Sequence, residues 1–444
     1  MHHFELTPLL TDADAVESSE GGLDPLGTES LADKLAVKLV PGVRERQQHP
    51  RFLTATAVSL SLCAEFGDEV LARDGVSEPW LVFEWYVVEG LVRTRGLTPK
   101  DIRGLPGREK AARAIADGVP LSTKRYLKAP SVFGFHGIYR ALALALGIQH
   151  GERLGERGCE LLALWAKERG LGGFVGTAGG PGKHFREQIG EALRLGLEKG
   201  AVARTKAWAG WGFFSKHLAP YEFGRREARF LSGLLLDNTE DLRREVLESL
   251  ISEAGCRLWQ GEISSRRYSE RLFHEALGRR ASANLRRLLR AIDAYERFAR
   301  LVQDAFDDCL YEMSRRGGKV SLVQLGRLDS VKRASRGLRQ TSAEVMDRLD
   351  PFGLTLPFQQ LFDSLAEGGT ETQWLERVLE HHRKTQRQKP PDGKMPWFEG
   401  DESGYIIRPL YRRDKPAPHD GRYVHLYRTN PLWSFASDLK MFRK

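Results

Sequence analysis

Apolar and polar positions alternate most regularly between residues 281 and 316. There Leu285, Leu288, Ile292, Tyr295, Ala299, Val302, Phe306, Cys309 and Met313 follow one another at spacings of three and four, the pattern of a sustained heptad seam on one long helix. At 1.5 Å per residue such a helix runs roughly 54 Å. Leu289, Phe298, Leu301 and Leu310 widen the stripe. That predicts a core helix packed among several others rather than a two-stranded coiled coil.

Shorter helical stretches precede it. Ser30 is placed to cap a helix through Val40, which Pro41 and Gly42 stop. Residues 52–72 and 79–95 read as buried helices, the second opened by a proline in its first turn. Further runs fall near 107–117, 137–146, 153–169, 184–199, 225–236, 240–253 and 266–277. Seven glycines between Gly170 and Gly182 interrupt the pattern and predict a boundary or hinge. Beyond Gly318 come shorter helical pieces, then a helix over 371–388 ended by Pro390 and Pro391.

The last 50 residues have another texture, with nine aromatics: Trp397, Phe398, Tyr405, Tyr411, Tyr423, Tyr427, Trp433, Phe435 and Phe442. Residues 405–413 and 422–428 read as a hairpin around a loop at 414–421, with Pro409 favouring an edge strand. The expected fold is therefore mainly α, a multi-helix bundle with one long heptad-patterned helix and a small aromatic-rich β-hairpin region at the carboxy-terminal end. Its expected parts are an acidic flexible tail over 1–33, a helical domain over 34–172, a second helical domain over 183–390 that holds the long helix, and a basic aromatic region over 395–444.

Charge sharpens this division. The chain of 444 residues has a formal net charge of +9, and arginine outnumbers lysine 49 to 19. An arginine-biased composition accounts for that ratio as readily as recognition chemistry does. The first 33 residues hold eight acids and no Lys or Arg, so 68 bases face 51 acids in the remainder. A basic body of this kind suits an acidic partner such as nucleic acid.

Two basic clusters are candidate phosphate contacts. Arg383, Lys384, Arg387, Lys389 and Lys394 lead into the predicted hairpin, which adds Arg408, Arg412, Arg413, Arg422 and Arg428. Interleaved with Tyr411 and Tyr427, these arginines could hold phosphates while the rings stack on unpaired bases. The alternative is a small aromatic core with a basic rim, or a surface that docks on the acidic tail. The second cluster, Arg286, Arg287 and Arg290 with Arg297 and Arg300, opens the long helix, whose far half carries Asp304, Asp307, Asp308 and Glu312. That order opposes the helix dipole. It reads as an arginine patch kept for an anion, or as a solvated face balanced by the pairs Asp293–Arg297, Glu296–Arg300 and Arg300–Asp304. The carboxy-terminal cluster is the stronger candidate.

Catalytic and metal signatures are weak. Residues 177–184 invite comparison with a phosphate-binding loop, but Thr177 replaces its first glycine and His184 its Ser or Thr. A glycine hinge is expected instead of nucleotide hydrolysis. Asp392-Gly393-Lys394 has the acid–x–lysine form of many metal-dependent nucleases yet lies in a proline-rich turn. His381-His382 lacks neighbouring ligands, and His136 reads as structural. No Gly-x-Ser-x-Gly elbow occurs. Cys63, Cys159, Cys256 and Cys309 are scattered with no CxxC pair, against a zinc ribbon or a disulfide framework. No catalytic residue, metal ligand or cofactor is expected. The longest apolar run, 79–88, is broken by Glu84 and is short of the roughly 20 residues that span a bilayer. No basic segment leads into an apolar core at the amino terminus, so neither membrane contact nor secretion is expected, and a cytoplasmic setting is.

Leu26-Gly27, Ala32-Asp33, Leu39, Pro41-Gly42 and Arg51 together resemble the opening of an uncharacterised protein family encoded in prokaryotic antiviral defence islands. The resemblance covers roughly 25 residues and implies a setting among nucleases or helicases, without carrying over any site residue. The leading expectation is a non-enzymatic subunit of a bacterial antiphage defence complex. It would bind nucleic acid (DNA before RNA) and other defence proteins. The runner-up is a metal-dependent nuclease with Asp392 and Lys394 in its site, and a third reading is a protein-only adaptor without nucleic-acid contact.

Overall fold

The computed structural model describes residues 24–67, 70–94, 102, 104–176, 179–237, 242–264, 270–389 and 392–442. Residues 1–23 of the expected tail lie outside them. The chain forms two compact units, each assembled from segments distant in sequence. One joins Met1–Ala36 to Glu262–Tyr427, and the other joins Val37–Gly261 to Arg428–Lys444.

In chain order the helices begin with α1 (Glu29–Leu39), which carries the boundary between the units, and continue with α2 (Arg51–Cys63), α3 (Pro79–Arg93), α4 (Arg108–Ala116), α5 (Pro130–Phe133) and α6 (Phe135–Ala145). A two-residue antiparallel pair, β1 (Gln149–His150) with β2 (Arg153–Leu154), precedes α7 (Glu156–Glu168), α8 (Pro181–Lys199), α9 (Trp211–His217), α10 (Arg225–Leu236), α11 (Arg243–Ile251) and α12 (Glu253–Ser264). Pro79 opens α3 as its sequence predicts, and every residue from Leu81 to Leu91 is buried. A helix without a polar face has to be enclosed on all sides. Glu84, inside this run, is satisfied by the Tyr126 hydroxyl (2.8 Å), the His136 backbone N–H (3.1 Å) and the His136 ring (3.0 Å). His136 thus has the structural role expected of it.

The glycine-rich loop lies inside this unit and is no boundary. Leu171 and Phe174 are buried, Phe174 packs edge-on against Trp165 with centroids 5.2 Å apart, and the Gly182 N–H donates to the Gly172 carbonyl at 2.8 Å. The expected tail also ends early. Leu26 and Leu31 are fully buried, and Asp24 accepts the N–H groups of Leu26, Thr28 and Glu29 at the start of α1. Nor do residues 395–444 stay together, since the division between units falls at Tyr427.

The second unit is built on α13 (Glu270–Gly278), α14 (Ala283–Arg316), α15 (Leu322–Gly326), α16 (Asp329–Leu349), α17 (Thr355–Ala366) and α18 (Glu371–Arg387). The long helix is where the heptad pattern puts it. Ser282 caps it by accepting from the Leu285 N–H, Gly317 ends it at φ 66°, and all nine seam residues are buried. Its widened stripe packs antiparallel on α16, with Arg297 beside Glu344 at 2.6 Å near one end and Leu301 against Gly337 further along. A core helix among several is thus what forms.

The aromatic hairpin exists but sits upstream of its expected place. It pairs β3 (Phe398–Asp401) with β4 (Gly404–Ile407) in the register Phe398↔Ile407 and Asp401↔Gly404. Gly404 takes φ 137° beside the Val320 carbonyl, which an added Cβ would meet at 2.6 Å. Pro409 starts a 3₁₀ turn that ends β4, and residues 422–428 form no strand. The short helix α19 (Thr429–Asp438) belongs to the unit of Val37–Gly261, where Asp438 meets the His49 ring at 2.7 Å.

The most enclosed ion pair is in that same unit. Arg51 and Glu227 meet at 2.6 Å with both side chains wholly buried, and Thr54 donates its hydroxyl to the same carboxylate at 2.7 Å. The guanidinium also lies 4.2 Å over the Phe223 ring. Burial lowers its pKa to about 10, with Glu227 opposing part of that change, so it remains charged at neutral pH. Removing one partner strands the other charge. Glu227→Gln is expected to cost about 3–5 kcal/mol, whereas Arg51→Met with Glu227→Leu recovers most of that loss, both measured as urea-unfolding midpoints.

Candidate nucleic-acid interface

The acids of α14 turn out to be an internal receiving line. Asp307 pairs with Arg413 and accepts from Gln303 at 2.8 Å. Asp308 accepts the Ala417 N–H at 2.9 Å and faces the His419 ring at 2.9 Å. Asp304 holds Arg300 at 3.2 Å and the other His419 nitrogen at 3.3 Å. Burial raises the carboxyls of Asp304 and Asp307 despite the arginine beside each. Two of the three predicted helix pairs form, Asp293–Arg297 at 3.3 Å and Arg300–Asp304. The third does not, because Glu296 is buried and points elsewhere.

Glu296 gathers the backbone N–H groups of Val424 and His425, the His425 ring at 2.6 Å and the Tyr427 hydroxyl at 2.6 Å. Glu270 takes the Tyr427 N–H, and Arg300 donates to the carbonyls of Arg422 and Tyr423. This explains the misplaced hairpin. Ala417, Val424, His425 and Tyr427 give their N–H groups to carboxylates of α13 and α14 instead of to a strand ladder.

The segment from Asp24 to Thr28 is held in a similar way by α18 and α14. His382 donates through Nδ1 to the Pro25 carbonyl (2.8 Å) while its Nε2 accepts the Trp397 N–H (3.0 Å). His381 donates to the Leu26 carbonyl at 2.7 Å, Lys389 to that of Asp24 at 2.7 Å, and the Tyr295 hydroxyl to that of Thr28. Both nitrogens of His382 are occupied, so it has no lone pair for a metal. Asp392 is exposed in the turn after α18, where the Lys394 N–H donates to the Gln386 carbonyl. Among the described residues no group of three or more His, Cys, Asp or Glu is arranged to hold a metal ion. All four cysteines are free thiols. Thr177 of the glycine-rich motif lies outside the described residues, and Lys183 pairs loosely with Glu187 at 4.0 Å.

The predicted phosphate contacts separate into two sets. In the carboxy-terminal cluster Arg383 lies near Glu380 and over the Phe398 ring, Arg387 reaches Glu380 at 3.4 Å, and Arg408 pairs with Glu399 at 3.0 Å. Arg413 is on Asp307 and Arg422 on Asp420 at 3.1 Å. Arg428 is buried, belongs to the other unit and precedes α19 at φ 72°. Neither tyrosine is offered to a base. Tyr427 is fully buried on Glu296, and Tyr411 is stacked on Trp397 with centroids 4.7 Å apart. Lys384 and Arg412 alone among this set are exposed with no acidic partner among the described residues.

The other cluster differs. Arg287 and Arg290 are exposed on the first turns of α14 without any side-chain partner among the described residues, as are Arg279 and Arg280 in the turn before it. Arg286 is fixed against the carbonyls of Gly278 (3.2 Å) and Ala281 (2.9 Å). Residue order had named three of these five. Arg279 and Arg280 were legible as an adjacent basic pair but were not linked to the helix head. No family model, curated protein or solved structure matches the chain. Among the described residues no helix is long and apolar enough to cross a membrane.

Buried histidines give this structure a definite acid response. Burial lowers His382 to about 4, His274 to about 3 and, in the other unit, His217 to about 4. Unfolded histidines bind protons near 6.5, so the unfolded state takes up more protons and stability falls as pH drops from about 6.5 towards 4. His425 acts in the opposite sense. Burial disfavours its charge, but Glu296 outweighs burial and raises its pKa, so its contribution is present below 6.5 and is lost as pH rises through the raised value. His274 has no hydrogen-bond partner on either ring nitrogen among the described residues. His274→Phe is therefore expected to gain about 2 kcal/mol at pH 5 relative to pH 7, read as the difference between urea midpoints at the two pH values.

Proposed function

We propose that the chain is a non-enzymatic nucleic-acid-binding and scaffolding subunit of a bacterial antiphage defence complex. The observation that carries the binding half is the head of α14. Arg279, Arg280, Arg286, Arg287 and Arg290 are five cations within twelve residues, all exposed and none paired with a carboxylate among the described residues. They stand at the positive end of a 34-residue helix, where the dipole adds to their charge instead of offsetting it. Such an arrangement repels itself in the free protein and is relieved by a polyanion. Phosphate contact without base stacking favours duplex DNA, because the tyrosines proposed for stacking are committed internally. The scaffolding half, with a nuclease or helicase as partner, rests on the resemblance of residues 26–51 to defence-island proteins.

Fluorescence anisotropy of the full chain with a labelled duplex, across a salt series, tests the reading. Each phosphate contact contributes about −0.9 to the slope of log affinity against log salt. The variant Arg279→Ala/Arg287→Ala/Arg290→Ala is expected to flatten that slope by about 2–3 and to weaken binding by about tenfold or more at low salt. Arg286 is left in place because it also ties down the turn before α14. An unchanged slope in the variant, or no binding by the parent chain, would reject the reading in favour of a protein-only adaptor.

A further inference from the structure

A second group of exposed arginines lies in the other unit, on α10. A cleft of about 530 Å³ runs between α7 and α10. It is shallow and open to solvent, lined by the apolar Leu164, Phe230 and Leu234, by Gly233, and by Arg157, Arg226, Arg229 and Asp237. On α10 the lining positions 226, 229, 230, 233, 234 and 237 recur at three and four, so they share one face of the helix. Arg226 and Arg229 are thereby one turn apart beside Phe230, which is half-buried.

The charges of the cleft do not cancel. Asp237 is paired with Arg157 at 2.6 Å, which neutralises that arginine. Arg226 and Arg229 are exposed, and neither guanidinium has a side-chain partner among the described residues, the Glu168 carboxylate accepting only the Arg226 backbone N–H at 2.7 Å. Two uncompensated guanidinium groups match a terminal phosphate, which carries about −1.5 to −2, better than a diester with its single charge. The apolar lining asks for something flat and apolar next to that phosphate. Gly233 is exposed, and a Cβ added there meets nothing within 4 Å, so a larger side chain at this position would stand in the groove without disturbing the fold. A second cleft, beside α17 and α18, lacks this character. Its Arg387 is paired with Glu380, its Arg377 caps the carbonyls of Glu367 and Gly368, and Asp363 also lines it.

We propose that the α7–α10 cleft binds a nucleotide through a terminal phosphomonoester, with Arg226 and Arg229 on the phosphate and the base over Phe230, Leu164 and Gly233. The ligand chemistry has two sources, a free mononucleotide or the phosphorylated end of a single strand. This site is separate from the head of α14, and either can fail without the other.

Calorimetric titration of the full chain tests it with adenosine 5′-monophosphate, adenosine, inorganic phosphate, and a short oligothymidylate with or without a 5′-phosphate. Expected is binding of the monophosphate, of the phosphorylated oligonucleotide, or of both, at least about tenfold tighter than of adenosine, inorganic phosphate and the unphosphorylated strand. Which of the two phosphorylated probes binds tighter identifies the source. Arg226→Ala/Arg229→Ala and Gly233→Trp are each expected to remove this binding. Thermal melting checks that both variants stay folded, and both retain duplex binding at the head of α14. Arg279→Ala/Arg287→Ala/Arg290→Ala leaves monophosphate binding intact. The proposal is overturned if neither phosphorylated probe binds at millimolar concentration. It is equally overturned if adenosine or inorganic phosphate binds as tightly, or if binding survives both cleft variants in folded protein.

Discussion

Carboxylates on the long helix α14 and its neighbour α13 are the constraint around which their unit is arranged. A buried acid is tolerated only when hydrogen bonds or opposite charge replace the water it has lost. Glu296 meets that demand with two backbone N–H groups, an imidazole and a phenol. Asp304, Asp307 and Asp308 meet it with Arg300, Arg413, His419 and the Ala417 N–H. The chain from Arg413 to Tyr427 therefore has its course fixed by acids rather than by a sheet. The same logic governs the amino-terminal segment, with the roles of donor and acceptor exchanged.

What could be read from residue order follows from the range of the forces involved. The α14 seam was legible because its burial repeats every three or four residues, and every seam position is buried as its spacing requires. The hairpin was legible in kind and misplaced in position. Its strand propensity is local, whereas the acceptors that claim residues 424 and 425 lie 128 and 129 residues upstream. The glycine-rich loop failed as a boundary for a related reason, since Phe174 anchors it to rings that sequence does not place beside it.

Basic composition was a poor guide to basic surface. Of the carboxy-terminal arginines expected to meet phosphate, Arg383, Arg387, Arg408, Arg413 and Arg422 have acids beside them. The arginines at the head of α14 were given less weight because helical pairs were expected to absorb them. Those pairs form further along, at Arg297 and Arg300, and leave Arg287 and Arg290 as they were. The reversed charge order along α14 was a real signal with two halves. Asp304, Asp307 and Asp308 serve the interior, and Arg287 and Arg290 face solvent.

The anchoring of Asp24–Thr28 has a consequence for how the protein is made. The Pro25 carbonyl finds its partner 357 residues later, at His382, and Thr28 meets His425, 397 residues on. Between these points lies the bulk of the other unit, whose own closing helix α19 comes later still. During synthesis the carbonyls of Pro25 and Leu26 therefore gain these partners only after more than 350 residues have followed them. Loops of this length make closure slow and leave early segments open to capture by other chains. The unit that holds α14 therefore cannot form its Thr28–His425 contact in a chain that stops short of residue 425.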